Sequence, residues 1–311
     1  MKSLIQTKRE LIRKDHSISH PWDLIAWKIL LYGVDKLPIS YERKIRFKRY
    51  FYRVKYAEFC RDKFRIYKDR NIRVYDLSLF KVCIIDDSEY FTPNNLEWNL
   101  THQFLDMIYP QLKPNYFRFI ASEGPYECGR VLVEEGDYVV DCGTCLGLFT
   151  FLSSIKVGES GRVFAIEPVR YFIKCLQESS KVNSTKNVSL LEVAVGNENR
   201  EETIYLDSEN PMQSSLGKET SQPLQIKQAT LDSLVFEKKE IPRVDFLKMD
   251  IEGSERNALM GAKETILKFK PKLSICTYHL KDDPLVLQNI IKSIDPNYKI
   301  EMGRRKLYAR V

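Results

Sequence analysis

The sequence predicts an α/β fold built on a mostly parallel sheet with helices on both faces. From about residue 130, short apolar runs alternate with amphipathic stretches, which is typical of strands separated by helices. The first run leads into a glycine-punctuated turn and then a helical pattern, as in nucleotide-binding sheets. The 311 residues suffice for one such domain and an extension. We therefore predict a helical, basic N-terminal extension at residues 1–120 and the sheet domain at residues 121–311.

The individual elements follow from the period of the apolar residues and from the turn residues between them. A strand pair and a terminal hairpin complete the sheet domain, and the polar segment 207–223 inside the strand pair is predicted to act as a lid. Strands are predicted at 138–141, 162–167, 188–195, 244–250 and 272–279, helices at 146–155, 171–182, 255–269 and 285–294, the strand pair at 202–206 and 225–231, and the hairpin at 298–302 and 306–311.

Charge is unevenly distributed along the chain. Residues 1–75 contain 20 of the 49 Lys and Arg but only 8 of the 42 Asp and Glu. In residues 50–65 aromatic and basic side chains alternate, which favours a buried face surrounded by solvated cations over a surface that binds a polyanion. The apolar segment 22–30 is similarly expected to pack on the main domain, although it also fits a membrane interface.

The composition excludes several classes of protein. Seven scattered cysteines do not form a disulfide framework, which indicates a reducing, cytoplasmic environment. The N-terminus shows no secretory signal, and the longest apolar stretch, residues 24–32, is far shorter than a membrane-spanning helix. We expect no transmembrane segment.

The first strand and its turn predict an adenosine-binding site. Asp141 ends the strand, Gly143 and Gly147 punctuate the turn, and Glu167 ends the next strand, where a carboxylate can accept hydrogen bonds from both ribose hydroxyls. The turn lacks the third glycine of a pyrophosphate-binding loop. An acidic Asp141 would repel phosphates but attract the cationic amino group of a methionine. This pattern favours S-adenosylmethionine over a nicotinamide dinucleotide.

Two further segments place ionisable side chains at the same sheet edge. The strand predicted at 244–250 ends in Asp250 and Glu252, and Ser254 and Glu255 after them are interpreted as the cap and first turn of a helix. His279 ends the strand predicted at 272–279. A neutral imidazole could take the proton of an alcohol, and Asp250 could do the same or orient that base, while a purely structural His279 is equally compatible with the pattern.

Taken in order, these motifs resemble the FkbM family of methyltransferases over residues 123–298. The matching pieces are G-x-Y-E at 124–127, D-x-G-x-x-x-G at 141–147, E-P at 167–168, K-x-D-x-E-G-x-E at 248–255 and Tyr-His at 278–279. The resemblance implies a Rossmann-like class I methyltransferase fold that uses S-adenosylmethionine and methylates a hydroxyl group. It also implies a role for each matching position: Tyr126, Asp141, Gly143, Gly147, Glu167, Ala194 and Val195 at the cofactor, and Asp250, Glu252 and His279 at the site of methyl transfer.

The chain departs from this family at Thr144 and Cys145, where Ala and Asn are common. Cys142 and Cys145 form a C-x-x-C, but no second pair or nearby histidines supply further ligands, so we expect no metal site. The expected acceptor is a small molecule, a glycan or a glycolipid, and not a nucleic acid. Two alternatives remain open: a nicotinamide-dependent oxidoreductase, and a non-catalytic adaptor that binds a polyanion or a membrane surface through the basic N-terminal part.

Overall fold

A computed structural model describes residues 65–77, 79–86, 124–206 and 222–311, with positions 36, 38, 91, 96, 97, 99, 100, 103 and 104. Strands and helices alternate through most of this part of the chain. In order they are β1 (Arg65–Asp69), β2 (Ile72–Asp76), β3 (Lys81–Ile85), β4 (Tyr138–Cys142), α1 (Leu148–Val157), β5 (Arg162–Ile166), α2 (Arg170–Asn183), β6 (Val188–Leu191), β7 (Ala194–Val195), β8 (Arg200–Leu206), β9 (Gln222–Ala229), β10 (Phe246–Met249), α3 (Glu255–Met260), α4 (Lys263–Phe269), β11 (Lys272–Cys276), α5 (Asp283–Ile294), β12 (Lys299–Met302) and β13 (Lys306–Arg310).

The centre of the sheet domain is a seven-stranded sheet with the order β12-β13-β11-β10-β4-β5-β6. Strands β12, β11, β10, β4, β5 and β6 run in the same direction, and only β13 runs antiparallel to its two neighbours. This confirms the predicted α/β class. The chain leaves β4 towards β5 and β6 and later returns to β10 on the other side of β4, so a crevice opens at the carboxyl end of β4.

Three predicted elements differ from the observed ones. The strand predicted at 188–195 breaks after Leu191, because β7 pairs with β9 in a separate three-stranded sheet. The helix predicted at 255–269 is two helices that meet near Gly261, where an added Cβ would lie only 2.1 Å from the carbonyl oxygen of Gly196. The strand predicted to end at His279 ends at Cys276, its last residue paired with β13. His279 therefore lies in the loop that follows.

The prediction of a helical N-terminal extension is wrong for residues 65–86. These residues form a three-stranded antiparallel sheet, β1-β2-β3, whose third strand packs on α2. Polar contacts fix this packing: the backbone nitrogen of Cys83 donates to Ser179 Oγ (2.8 Å), and the hydroxyl of Tyr171 donates to the carbonyl of Ile85 (2.6 Å). Alternating apolar and charged residues in β2 have the period of a strand. The domain boundary near residue 120 lies outside the described residues.

Apolar side chains on the two faces of the seven-stranded sheet form two cores. Neighbouring residues of β4 point to opposite faces, so Val139 belongs to one core and Val140 to the other. The first core also takes in side chains from the three-stranded sheet and α2. The basic-aromatic stretch at 50–65, the segment 22–30 and most of the predicted lid, residues 207–221, lie outside the described residues. None of the helices in the described part is long and apolar enough to cross a membrane.

Candidate active site

A cleft opens at the carboxyl edge of the sheet. Its walls come from the ends of β4, β5 and β10 and from the sheet that contains β7. This is the edge at which open α/β sheets bind ligands. Cys145 lines the cleft, and so do six of the predicted site residues: Gly143, Glu167, Ala194, Val195, Asp250 and Glu252.

The two glycines of the first turn have different structural roles. Gly143 has a φ of +77°, and a Cβ there would lie 1.9 Å from the carbonyl oxygen of Asp250, so only glycine lets the turn approach the end of β10. Gly147 has a φ of +79° and faces the helices, because its Cβ would lie 2.3 Å from Leu176 Cδ2. Gly143 lines the cleft, whereas the structure places Gly147 in the packing of α1 against α2.

Glu167 is fixed at one end of the cleft by the backbone. Its Oε2 accepts a hydrogen bond from the backbone nitrogen of Cys145 (2.9 Å), and its Oε1 accepts one from Val169 (3.0 Å). Burial raises the pKa of Glu167 to about 7. Cys145 reaches Glu167 because its backbone is left-handed, with a φ of 47°, a conformation that Asn adopts more readily than Cys. This explains why Asn is common at this position in the resembling family.

Asp141 has a different environment from the one predicted. Its carboxylate is completely buried, with Oδ1 2.9 Å from Lys248 Nζ, and its Oδ2 accepts a hydrogen bond from Thr150 (2.6 Å). Lys248 Nζ also donates to the carbonyls of Cys142 and Gly143. The charge of Asp141 is therefore already balanced inside the protein. The structure places Asp141 below the turn, outside the residues that line the cleft, where it holds the turn in place through Lys248.

Asp250 lies at the other end of the cleft and is held by two tyrosines. Tyr126 donates a hydrogen bond to Oδ2, and the hydroxyl of Tyr278 donates to Oδ1 at 3.2 Å. Burial alone would raise the pKa of Asp250, but the nearby cations, above all Lys248, lower it to about 2. Tyr126, predicted as a cofactor residue, is buried behind Asp250, with the ammonium groups of Lys248 and Lys306 over its ring, and it does not line the cleft.

His279 is surrounded by carboxylates. Its Nε2 lies 3.7 Å from Asp250 Oδ1 and 3.6 Å from Glu252 Oε2, and its Nδ1 lies 3.0 Å from Glu255 Oε1. Burial lowers the pKa of His279, but the three carboxylates more than offset this and raise it to about 11. The neutral imidazole that a general base requires, one of the two alternatives for His279, is therefore disfavoured in this arrangement. Burial raises the pKa of Glu252 to about 7.

Three residues that shape this end of the cleft were not predicted from the sequence. Lys248 neutralises Asp141, Tyr278 contacts Asp250, and Glu255 lies beside His279. Glu255 had been assigned only to the start of a helix, and it does accept hydrogen bonds from the backbone of the preceding turn. Lys248 and Glu255 are the first and last residues of K-x-D-x-E-G-x-E. The motif that indicated Asp250 and Glu252 therefore also contains these two residues.

Comparison with known proteins agrees with the motifs. Residues 141–294 match the family model described as the Methyltransferase FkbM domain, so this part of the chain is confirmed as an FkbM methyltransferase domain. No curated protein matches the chain.

Several solved methyltransferase structures are similar to this chain. Methyltransferase FkbM from Methylobacillus flagellatus KT is 26% identical, with 71% of this chain and 56% of that chain covered and a TM-score of 0.46. A SAM-dependent methyltransferase from Aquifex aeolicus is 16% identical (67% and 93% covered, TM-score 0.37). A SAM-dependent O-methyltransferase from Thermotoga maritima is 15% identical (57% and 60% covered, TM-score 0.37). The chain thus spans little more than half the length of the M. flagellatus protein.

Proposed function

We propose that the FkbM methyltransferase domain of this chain transfers the methyl group of S-adenosylmethionine to a hydroxyl oxygen of a small molecule, glycan or glycolipid. One observation carries the proposal: a single cleft joins Glu167 at one end to Asp250 and Glu252 at the other. The first end suits a ribose, and the second suits a reacting hydroxyl. The matched family model supports the reaction type.

The cofactor would lie along the first half of the cleft. The Glu167 carboxylate would accept hydrogen bonds from the two ribose hydroxyls, because each of its oxygens keeps a lone pair beyond the one used by the backbone. Ala194 and Val195 offer an apolar wall for the adenine. Gly143 and Cys145 would contact the methionine part through backbone atoms. Gly143 has no side chain, and the backbone nitrogen of Cys145 donates to Glu167.

The acceptor would enter from the end that contains Asp250 and Glu252. Its oxygen attacks the methyl carbon in line with the carbon–sulfur bond. The new oxygen–carbon bond would form as the carbon–sulfur bond breaks, the sulfonium would become a neutral thioether, and the proton of the hydroxyl would pass to water. Alignment of two bound reactants contributes up to about 7–11 kcal/mol to such a transfer.

The basic balance of residues 1–75 supports an acceptor with negative charge, such as an acidic glycan or a glycolipid head group. The same excess of Lys and Arg is compatible with an uncharged acceptor if it serves only solubility. The charge of the acceptor is therefore a variable of the first experiment.

The experiment is a methyl-transfer assay with tritiated S-adenosylmethionine and the full chain. Acceptors are offered in matched sets: neutral and acidic sugars, a glycolipid, and amines of similar size. We expect label in at least one hydroxylated acceptor and none in the amines, and loss of transfer in Glu167→Ala but not in Glu202→Gln, which alters a different carboxylate of the cleft. Transfer only to amines would contradict O-methylation. Saturable binding of NADH without binding of S-adenosylhomocysteine would contradict the methyltransferase function.

A further inference from the structure

We infer that Asp250, Glu252 and His279 bind one divalent metal ion at the acceptor end of the cleft. One ligand atom from each of these three side chains lies within 4.8 Å of the other two. Two carboxylate oxygens and one imidazole nitrogen are a ligand set that suits Mn²⁺ and Zn²⁺. No metal site was predicted from the sequence, because the C-x-x-C has no further ligands near it. The three ligands inferred from the structure come instead from the separate loops that follow β10 and β11.

His279 is the observation that points to an ion. Its side chain is only 7% exposed, and Nε2 makes no hydrogen bond with a described residue. Nε2 is directed at Asp250 and Glu252, but its distances to their oxygens, 3.7 and 3.6 Å, are too long for hydrogen bonds. Two ligands that bind one ion at about 2.1 Å lie roughly 3–3.7 Å apart for angles of about 90–120°. Both separations that involve Nε2 lie at the upper end of this range, as expected for an ion between the ligands.

The surrounding residues orient the three ligands. Tyr126 donates a hydrogen bond to Asp250 Oδ2, while Oδ1 accepts one from Tyr278 at 3.2 Å and keeps a second lone pair, 3.7 Å from His279 Nε2. On the far side of the imidazole, Nδ1 lies 3.0 Å from Glu255 Oε1, and a carboxylate at this position is common behind metal-bound histidines. Glu255 is itself fixed by the backbone nitrogens of Ile251 (2.9 Å) and Gly253 (3.0 Å). Glu255 is thus a positioning residue for the site.

The local charge also favours a cation. Three carboxylates, those of Asp250, Glu252 and Glu255, lie within 4 Å of one imidazole. Two buried lysines act on Asp250 as well, but each has another partner: Lys248 lies 2.9 Å from Asp141, and Lys306 donates to a backbone carbonyl at 2.8 Å. The imidazolium and these lysines offset only part of the carboxylate charge, and buried charge that stays unpaired is costly. A divalent ion balances the two carboxylates that bind it.

This inference rests on the proposed function and extends its chemistry. Glu252 is 23% exposed, so the ion would face the cleft with positions left for the acceptor. A bound hydroxyl becomes more acidic, because the cation stabilises its conjugate base. The ion would thus help the acceptor hydroxyl to pass its proton to water as its oxygen takes the methyl group, with S-adenosylhomocysteine leaving as the neutral thioether. The chain then needs no imidazole as a base.

The test is direct metal binding by the full chain, without cofactor. Protein freed of metal by a chelator is titrated calorimetrically with MnCl₂ and, separately, with ZnCl₂, and bound Mn²⁺ is counted by electron paramagnetic resonance. We expect one ion per chain for at least one of the two metals, with affinity at least tenfold lower in Asp250→Asn and in His279→Gln. Glu202→Gln, a cleft carboxylate outside the cluster, should bind like the wild type.

Two outcomes would overturn the inference: neither metal binds saturably to the wild type, or both ligand variants bind as tightly as the wild type. Each variant is also titrated with S-adenosylhomocysteine, because Glu167 lies at the other end of the cleft and reports whether the fold is intact. Binding of S-adenosylhomocysteine without metal binding refutes the metal site and leaves the proposed function standing. Metal binding without S-adenosylhomocysteine binding keeps the metal site and refutes the proposed function.

Discussion

Replacement of Glu167 by Gln should weaken cofactor binding strongly, with a loss of about 1–3 kcal/mol in folding from the one backbone hydrogen bond that the amide nitrogen cannot accept. In the wild type the carboxylate would accept a hydrogen bond from each ribose hydroxyl, and a bond to a charged acceptor contributes about 1.5–3 kcal/mol compared with about 0.5–1.5 for a neutral one. The amide of Gln keeps one acceptor oxygen, and its NH₂ group cannot accept. The expected loss is about 2–3 kcal/mol, which corresponds to a rise in Kd of roughly 30- to 150-fold.

The assay is calorimetric titration with S-adenosylhomocysteine at pH 8, where Glu167, with a pKa of about 7, is ionised in most molecules. Glu202→Gln is the control, because Glu202 lines the same cleft but is paired with Arg200 at 2.5 Å. It should bind within threefold of the wild type. A change of less than threefold for Glu167→Gln, in protein that stays folded at the assay temperature, would refute the assignment of Glu167 to the ribose.

The same carboxyl predicts how wild-type affinity depends on pH. Burial raises the pKa of Glu167 to about 7, so the ionised form that accepts both hydrogen bonds disappears as the pH falls through 7. At pH 6 roughly a tenth of the free protein is ionised, and Kd should rise up to about tenfold relative to pH 8. Glu167→Gln should show no such dependence. A wild-type Kd that is equal at both pH values would show that the carboxyl is not used.

Three further changes test the architecture of the site, each by chemical or thermal denaturation. Gly143→Ala places a Cβ 1.9 Å from the carbonyl oxygen of Asp250 at a φ of +77°, so we expect a loss of about 2–5 kcal/mol of unfolding free energy; a loss under 1 kcal/mol would contradict the contact. Cys145→Asn relieves a left-handed backbone at φ 47° and should add about 0.5–1 kcal/mol; a decrease would show that burial of the thiol matters more. Lys248→Met leaves Asp141 charged and buried and should cost about 3–5 kcal/mol, partly restored by a second change, Asp141→Asn; no restoration would contradict the pair.

The sequence predicts the sheet well, and also the edge of the sheet at which the carboxylates lie, because both depend on local patterns. Apolar runs place β4, β5 and β10, and the carboxylates that follow them share one edge as a consequence of parallel pairing. The role of Asp141 was not predictable in the same way. Asp141 and Lys248 are direct neighbours across β4 and β10, and this pairing depends on the register between strands more than 100 residues apart. Strand period alone does not supply that register.

The end of the cleft that contains His279 was less predictable because loop backbones build it. Glu252 has a φ of 54°, a left-handed conformation that costs energy in a residue other than Gly or Asn. This turn directs its carboxylate towards His279, which lies in a loop three residues beyond the end of β11. Cys145 has the same left-handed backbone in the turn that reaches Glu167. Both ends of the cleft therefore use a strained residue that no apolar period reveals, and strain of this kind persists where the surrounding structure fixes a reactive geometry.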